Sequence, residues 1–436
     1  MSSEVSLAVE TPLPRDRAYR ALFVLALVSF TNYVDRMILP AVSQPIKLEF
    51  GLSDTQVGLL NGLAFVLLYA ASGVPLARLA DRTSRPLVLA GALAFWSIAT
   101  ATCGAVRHFW QLALARACVG IGESACQPVG YAIISDYFPP ERRASAMAWF
   151  LVGNSLGVTA GFALGGWLGQ MYGWRMAFVA VGVPGLLLAL AVARLPRMHE
   201  QSRGGPAYLQ HSMLQTVRVL FARRTFRWLA LQNAVYSATI FGPIAWLPSF
   251  FMRSHDLPLH VAATWTGLAI GFGMGGGMLV GGMLADWLAR GGRHRPMWLG
   301  TVSVALSGLV MLVVLQLPDA RWALGITFVA LLLGSMGSPV NTTAIQNEAP
   351  PELRATAASI ALLAVGIIGI GLAPLLVGML SDSLVAAHGP TESLRIAMLA
   401  SLSLCLVTAA LYAQVARVIQ SEGPPPIGAL GTSAAG

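Results

Sequence analysis

The sequence has few charged residues for its length. Only 11% of its 436 residues are charged, whereas 56% are hydrophobic, and soluble domains carry about 25% charged residues. Twenty-eight Lys and Arg with 19 Asp and Glu do not cover the surface of a soluble protein of this size. Since each membrane span uses about 20 apolar residues, the composition predicts an all-α membrane protein without a large water-soluble domain.

Other patterns are missing as well. The cysteines all lie in apolar runs, where they behave as small hydrophobic residues, and they indicate neither a disulfide framework nor a zinc site: Cys103, Cys118, Cys126 and Cys405. The histidines lack metal-ligand spacing, and no Gly-rich loop followed by Lys-Ser/Thr indicates ATP hydrolysis. We therefore expect no metal, no cofactor and no enzymatic activity. Basic residues alternate with hydrophobic runs, so nucleic acid is not an expected partner.

Apolar runs bounded by Arg, Pro or Gly predict twelve spans. The first half, 18–194, contains runs near 18–44, 54–79, 86–106, 108–136, 142–170 and 174–194. The second half, 226–418, contains runs near 226–252, 260–287, 294–316, 321–346, 353–381 and 391–418. The polar segment 195–225 is predicted to be a cytoplasmic linker, and 1–17 and 419–436 are predicted to be cytoplasmic tails. The first residues lack the pattern of a cleaved signal peptide, so we expect the first span to be retained.

Basic residues are distributed unequally between alternate loops, and cytoplasmic loops of membrane proteins carry an excess of Lys and Arg. With the N-terminus inside, most basic residues fall on the cytoplasmic side, among them Arg15, Arg17, Arg20, Arg78, Arg82, Arg85, Arg142, Arg143, Arg223, Arg290, Arg293 and Arg295. Each outer loop holds a single one: Lys47, Arg107, Arg175, Arg253, Arg321 and Arg395. This bias predicts that both termini are cytoplasmic.

The two halves repeat each other. Three short segments recur in the same place and order: Ala77–Arg82 as Gly282–Trp287, Gln127–Val129 as Ser338–Val340, and Pro139–Ala144 as Pro350–Ala355. Chance is a poor explanation for three matches in the same order. They predict two pseudo-symmetric six-helix halves, with a substrate site at the interface between them.

The loop after the second predicted span carries the most specific motif. Residues 77–86 resemble the motif G-x-x-x-D-R-x-G-R-R of the major facilitator superfamily, with Asp81, Arg82 and Arg85 in register and Ala77 and Ser84 in place of two glycines. The resemblance implies a secondary transporter with twelve helices that works by alternating access.

Two further spans carry matching motifs. Arg116–Glu123 is similar to the superfamily motif R-x-x-x-G-x-G, which is linked to proton coupling. The fifth span has glycines at four-residue intervals that resemble the antiporter motif without its usual proline: Gly153, Gly157, Gly161 and Gly165. Within the superfamily, Asn32–Arg36 together with Gly120–Glu123 resembles the spinster family. That family includes transporters of lysophospholipids and sphingosine-1-phosphate.

Four ionisable residues are predicted to lie deep inside spans: Asp35, Arg36, Arg116 and Glu123. An unpaired charge there costs about 2.5–3.5 kcal/mol. Arg116, Glu123 and Gln127 have helical spacing and share one face. One interpretation is a permanently neutralised network that fixes helix packing. We favour a protonation switch, in which Glu123 and Asp35 carry protons while Arg36 and Arg116 hold an anionic substrate group.

The second half has no charge at the equivalent level. The predicted substrate-binding residues therefore differ between the halves: Asn32, Arg36, Arg116, Glu123 and Gln127 in the first, and Asn233, Tyr236, Ser237, Asn341 and Thr342 in the second. For each uncharged residue an interhelical hydrogen bond is an equal alternative. A site that is charged on one side and mainly apolar on the other suits an amphiphile.

Charged residues at the predicted cytoplasmic rim suggest a gate: Asp81, Arg82, Arg85, Asp136 and Asp286. With the cytoplasmic side shut, Asp81 is expected to face the positive N-terminal end of the eleventh span. Arg82 or Arg85 is expected to pair with Asp136. Positive-inside anchoring alone explains the arginines but not the repeated acids.

The sequence thus predicts a monomeric, proton-coupled secondary active transporter of a lysolipid-like or other organic anion, with membrane lipid around it, in a bacterial inner membrane. A proton-coupled exporter of drugs or organic ions would use the same carboxylates. A receptor or scaffold without transport activity is the alternative from another class, but it would have no need to retain costly buried charges.

Overall fold

The computed structural model describes residues 14–197, 213–349 and 353–422, and these residues are almost entirely helical. The helices of the first half are α1 Arg15–Phe50, α2 Asp54–Asn61, α3 Leu63–Arg82, α4 Arg85–Cys103, α5 Phe109–Glu123, α6 Cys126–Tyr137, α7 Pro140–Tyr172 and α8 Trp174–Ala193. The predicted tails up to residue 13 and from residue 423, and residues 198–212 of the predicted linker, lie outside the described residues.

The remaining helices begin with α9, Met213–Ala222, which precedes the second half. The helices of the second half are α10 Arg224–Ile244, α11 Leu247–Ser254, α12 Leu259–Leu268, α13 Gly275–Ala289, α14 Arg295–Val314, α15 Ala320–Ser335, α16 Gly337–Glu348, α17 Arg354–Ala364, α18 Ala373–Ser401 and α19 Ser403–Glu422. Two π-helical segments, Ala269–Met274 and Val365–Leu372, make α12 continuous with α13 and α17 continuous with α18.

Ten segments of the described chain are long and apolar enough to cross a membrane. The last of them, Thr356–Glu422, contains a kink between two helices at Gly389, whose φ of 74° is readily adopted only by glycine. Helices α5 and α6 lie outside the ten. The prediction of an all-helical membrane protein is confirmed.

The repeated proline segment produces the same break in each half. Proline has no N–H to donate to the carbonyl four residues earlier, and its ring crowds that carbonyl. Accordingly, α5 ends at Glu123 and α6 begins at Cys126, just before Pro128. In the second half, α15 ends at Ser335 and α16 begins at Gly337, just before Pro339. The first break leaves Glu123 at the end of a helix inside the bundle.

The glycines of α7 fix the position of α1. A Cβ atom at Gly153, Gly157 or Gly161 would lie 2.5, 2.5 or 2.7 Å from a backbone oxygen of α1. No side chain fits in such a contact, so the two backbones touch directly, as small residues permit between membrane helices. Since α1 carries Asp35 and Arg36, this contact anchors half of the predicted site.

The two halves are held together on one side of the bundle. We call the side with Arg85, Arg223 and Arg293 the basic side, and the side with Asp54 and Arg253 the opposite side. Hydrogen bonds that join the halves lie between the middle of the bundle and the opposite side, and in the described chain they include Ser43–Ser249, Gln44–Arg253, Asp54–Arg253, Asp54–Ser381, Asp54–Asp382, Thr55–Asp382, Thr159–Gly267 and Gln170–Leu259. The structure is therefore closed on the opposite side.

Candidate functional site

The four predicted buried charges form two ion pairs between α1 and α5. Arg36 donates from Nη2 and Nε to Glu123 Oε2, at 2.9 and 3.1 Å. Arg116 Nη1 lies 3.8 Å from Asp35 Oδ1. The side chains of Asp35, Arg116 and Glu123 are at most 2% exposed, whereas that of Arg36 is 14% exposed. Each acid is thus matched by a guanidinium, and the formal charge of the set is zero.

The pairing differs from the arrangement that helical spacing alone suggests. Arg116 and Glu123 share one face of α5, but each pairs with a residue of α1 instead of with the other. Asn32, also on α1, is buried at 1% exposure. Gln127 lies beyond the break, where its amide is 3.5 Å from the Tyr33 hydroxyl. The predicted first-half residues therefore lie together around α1 and α5.

Aromatic rings surround the two guanidinium groups. The Phe65 ring on α3 lies 4.9 Å from the Arg36 guanidinium carbon and 5.3 Å from that of Arg116. The rings of Tyr33 and Tyr69 each lie 5.1 Å from Arg36. Such contacts stabilise a cation by its attraction to the ring face, most strongly where water is excluded. Phe65 is the one ring of this group that contacts both arginines.

Thr100 completes the surroundings of Asp35. Its hydroxyl, on α4, donates a hydrogen bond to Asp35 Oδ2, and both side chains are buried. The sequence analysis missed Thr100, Phe65 and Tyr69 because a hydroxyl or ring within an apolar span gives no signal of its own. Only the tertiary packing of α3 and α4 against α5 brings these residues to the charges.

Arg116 retains unused hydrogen-bonding capacity. In the described part of the chain its Nε and Nη1 atoms donate no hydrogen bond, although the side chain is 2% exposed. Buried polar groups almost always have hydrogen-bond partners. The Arg116 guanidinium, which lies 3.8 Å from the Asp35 carboxylate and has free donors, can therefore bind an additional anionic or hydrogen-bond-accepting group.

Most of the predicted second-half residues bond to the backbone. Asn233 donates to Ala361 O at 3.2 Å and Tyr236 donates to Gly334 O at 2.9 Å. Ser237 and Thr342 donate to carbonyls of their own helices, at 2.7 and 3.1 Å. In this conformation Asn233 and Tyr236 make interhelical hydrogen bonds, as in the alternative interpretation, whereas Ser237 and Thr342 bond within their own helices.

A neutral polar cluster lies beside them. Asn341, 2% exposed, and Gln232, fully buried, face the hydroxyl of Tyr412. That hydroxyl donates to Gly337 O at 3.0 Å. Gln232 and Tyr412 were not singled out by the sequence analysis. Their polarity within long apolar helices is the signal that would have indicated them.

The predicted rim residues of the first half have no described contact with the second half. Arg85 contacts Asp136 at 2.6 and 2.7 Å and Asp81 at 3.1 Å, all within the first half. Asp81 is 63% exposed and has no described contact with α17. Arg82 and Asp286 are exposed. The expected contact of Asp81 with the eleventh span is therefore not formed in this conformation.

A second charged cluster, on the opposite side, was missed. Asp54, at the start of α2, accepts hydrogen bonds from Arg253 at 2.7 and 2.9 Å, from Ser381 at 2.7 Å and from Lys47. Asp382 accepts from the backbone N–H groups of Asp54 and Thr55, at 2.8 and 2.7 Å. The partners come from both halves and are far apart in sequence. The local contact at the start of α2 is the cap formed by Ser53 and Gln56.

Two repeated helical halves around paired charges form the architecture of a secondary transporter of the membrane. The sequence profile of the Major Facilitator Superfamily matches residues 25–374, and the chain belongs to this superfamily. Its "MFS-type efflux pump" relative from Mycolicibacterium smegmatis is 35% identical over 400 residues, which are 91% of this chain and 92% of the relative.

Spinster proteins are also similar. "Protein spinster homolog 3" of Danio rerio is 26% identical, over 86% of this chain and 79% of that protein. A crystal structure of a bacterial homolog of the human lysosomal transporter Spinster, in an inward-facing and unoccupied conformation, matches with a TM-score of 0.85 and 28% identity. It covers 93% of this chain and 98% of that chain. The predicted spinster resemblance is confirmed, and the protein is a multi-pass membrane transporter, not an enzyme.

Proposed function

We propose that the protein is a proton-coupled secondary transporter of an amphipathic organic anion that works by alternating access. The observation that carries this proposal is the pair of buried contacts, Arg36 with Glu123 and Arg116 with Asp35, at the centre of the first half. Intramembrane charges are costly and commonly mark transport pathways.

We assign twelve spans to the chain. They comprise the ten apolar segments, the interrupted pair α5 and α6, and the division of Thr356–Glu422 at Gly389. The excess of arginine on the basic side supports a cytoplasmic position for that side and for both termini. The closed opposite side then corresponds to an inward-facing state. A monomer in a bacterial inner membrane is the proposed setting.

Protonation of Glu123 would release Arg36. Both hydrogen bonds from Arg36 go to Oε2, whereas Oε1 has no hydrogen-bond partner in the described chain and is the oxygen free to take the proton. A neutral carboxyl no longer attracts the guanidinium, whose 14% exposure is the largest of the four charged side chains. One added proton changes the formal charge of the set from zero to +1, which complements a singly charged anionic head group. Asp35 and Arg116 form the second such pair.

The neutral second half supports an amphipathic substrate. Its polar groups at this level are amides and hydroxyls, such as Asn341 and Tyr412, set among apolar residues. An anionic head group on the arginines of the first half would place an apolar tail toward the second. Asp81, Arg82, Arg85, Asp136 and Asp286 are proposed to form the cytoplasmic gate in the other state, when the two rims approach each other.

Transport by the Glu123→Gln variant tests the coupling role. The purified protein is reconstituted in proteoliposomes, and uptake of a labelled lysolipid or sphingoid phosphate is measured with and without a pH gradient. We expect the variant to lose stimulation by the gradient while retaining exchange of substrate for substrate. The control is Glu49→Gln, because Glu49 pairs with Arg175 outside the site. Unchanged gradient dependence in Glu123→Gln would contradict the coupling role.

A proton-coupled exporter of drugs or organic ions is the second candidate. It is favoured by the efflux-pump relative, which is 35% identical, and by the aromatic rings of Tyr33, Phe65 and Tyr69 near the site. Thermal-shift measurements with lysolipids, sphingoid phosphates, organic anions and cationic drugs separate the two candidates. Stabilisation by cationic drugs alone would contradict the amphipathic anion.

A further inference from the structure

The Asp54 cluster joins the halves through buried charges. Asp54 belongs to α2 of the first half, and its partners Arg253 and Ser381 belong to α11 and α18 of the second. The side chains of Asp54 and Arg253 are 0% and 6% exposed. Arg253 also donates to Gln44 of the first half at 2.8 Å. Arg253 is thus paired across the boundary between the halves, whereas Asp54 also has a contact with Lys47 of its own half.

Close backbone contact continues from this cluster toward the centre of the bundle. A Cβ atom at Gly58 would lie 2.6 Å from Pro374 O, and one at Gly62 would lie 2.3 Å from Gly371 O. A Cβ atom at Gly378 would lie 2.3 Å from Asp54 O. Glycines therefore let the backbone of α2 touch the backbone of the second half without intervening side chains. Over eight residues of helix the contact is about 12 Å long.

We propose that Asp54, Arg253 and this glycine contact form an opposite-side latch that closes the transport pathway on that side. A pathway that opens there requires α2 to separate from residues 370–378. Breaking a buried ion pair is costly while both charges remain dry. Separation of the halves admits water to both charges at once, which removes most of that cost. The latch therefore holds the closed state through a buried pair, and hydration of both charges lowers the cost of opening it.

A neighbouring ion pair provides a control that distinguishes the latch from a nonspecific effect of charge on that side of the bundle. Glu49 and Arg175 are 2.5 Å apart on the same side of the bundle, but both belong to the first half. Motion of one half against the other leaves their distance unchanged. Substitution of Glu49 therefore provides a matched control: it removes an ion pair on that side without affecting the boundary between the halves.

The conformational equilibrium tests the latch directly. Spin labels are attached at Arg107→Cys and Arg321→Cys, exposed positions of the two halves on the opposite side, in a full-length Cys118→Ser background. Double electron–electron resonance in nanodiscs then gives the distance distribution between the labels. We expect Asp54→Asn to raise the ratio of long to short distances about tenfold, since a buried pair that loses one partner is strongly destabilised.

A second substitution acts through packing instead of charge. Gly58→Ala places a Cβ against Pro374 O and should shift the distribution in the same direction. Its control is Gly91→Ala, because a Cβ at Gly91 meets nothing within 4 Å. Both controls, Glu49→Gln and Gly91→Ala, should leave the distances unchanged. Parental distances in Asp54→Asn and Gly58→Ala would overturn the latch, without affecting the proposed substrate or proton coupling.

Discussion

The two halves share a backbone break but differ in the chemistry around it. In the first half, the break before Pro128 holds Glu123 in its pair with Arg36. In the second, the break before Pro339 lies next to Asn341, which faces Tyr412. The two halves therefore share the position of the helix break but differ in the side chains beside it. The same backbone arrangement thus holds charged side chains in one half and neutral polar and apolar side chains in the other.

This difference predicts unequal responses to substitution. A buried charge that loses its partner is strongly destabilised, because it cannot recover its hydration. A neutral amide that is removed together with its hydrogen bonds has a smaller effect. Equivalent changes in the two halves should therefore separate into large effects in the first and small effects in the second.

The largest expected effect is that of Arg116→Leu. This substitution leaves Asp35 buried at 1% exposure, without its neighbouring guanidinium, and should lower stability by about 3–5 kcal/mol. Thermal unfolding in detergent measures the loss. The double variant Asp35→Asn/Arg116→Leu should recover much of the stability but not gradient-driven transport. Parental stability in the single variant would mean that the pair contributes nothing to the fold.

A smaller effect is expected for Phe65→Leu. The ring contacts Arg36 and Arg116, and each desolvated cation–π contact contributes about 1–2 kcal/mol. Transport should fall severalfold while the protein remains folded, and Phe65→Tyr should restore most of it because the ring face is retained. Transport rates at several pH values, measured beside thermal stability, check this. Equal activity of the Leu and Tyr variants would exclude a role for the ring.

Asn341→Leu should have a weaker effect still. Neither atom of the Asn341 amide makes a hydrogen bond within the described chain, so stability should change little, and any change in transport should appear in the substrate concentration for half-maximal rate. Stimulation by a pH gradient should be unchanged. If this variant lost that stimulation as Glu123→Gln is expected to, the division of roles between the halves would be wrong.

The smallest effect is expected at the basic rim. Arg85 is 31% exposed and pairs with Asp136, 26% exposed. Solvated pairs of this kind contribute about 0–1 kcal/mol, so Arg85→Gln should leave thermal stability nearly unchanged. A change in the opening of the basic side, measured by labels on that side, would instead indicate the proposed gate. A large loss of stability would show that the pair also supports the fold of the first half.

Hydropathy and charge in the sequence were enough to predict the helical membrane fold and the positions of the four buried charges. Apolar runs reveal helices, and charges within them stand out. Pairing was harder to predict, because Arg36 and Glu123 lie 87 residues apart and spacing alone grouped Glu123 with Arg116. Contributions of uncharged groups such as Thr100 and Phe65 depend on how α3 and α4 pack. The Asp54 cluster depends on closure of the halves, which no local pattern encodes.

The backbone contact between α1 and α7 limits how the site can respond to a proton. Asp35 and Arg36 are consecutive residues, separated by about 100° around α1, so rotation of that helix would disturb both ion pairs together. The glycines of α7 hold α1 against such rotation. The part of the site with freedom to adjust is then the interrupted helix opposite, at Glu123. Protonation of Glu123 would therefore first change the conformation of the junction between α5 and α6. Helix α1 would stay fixed, and the junction would move relative to it.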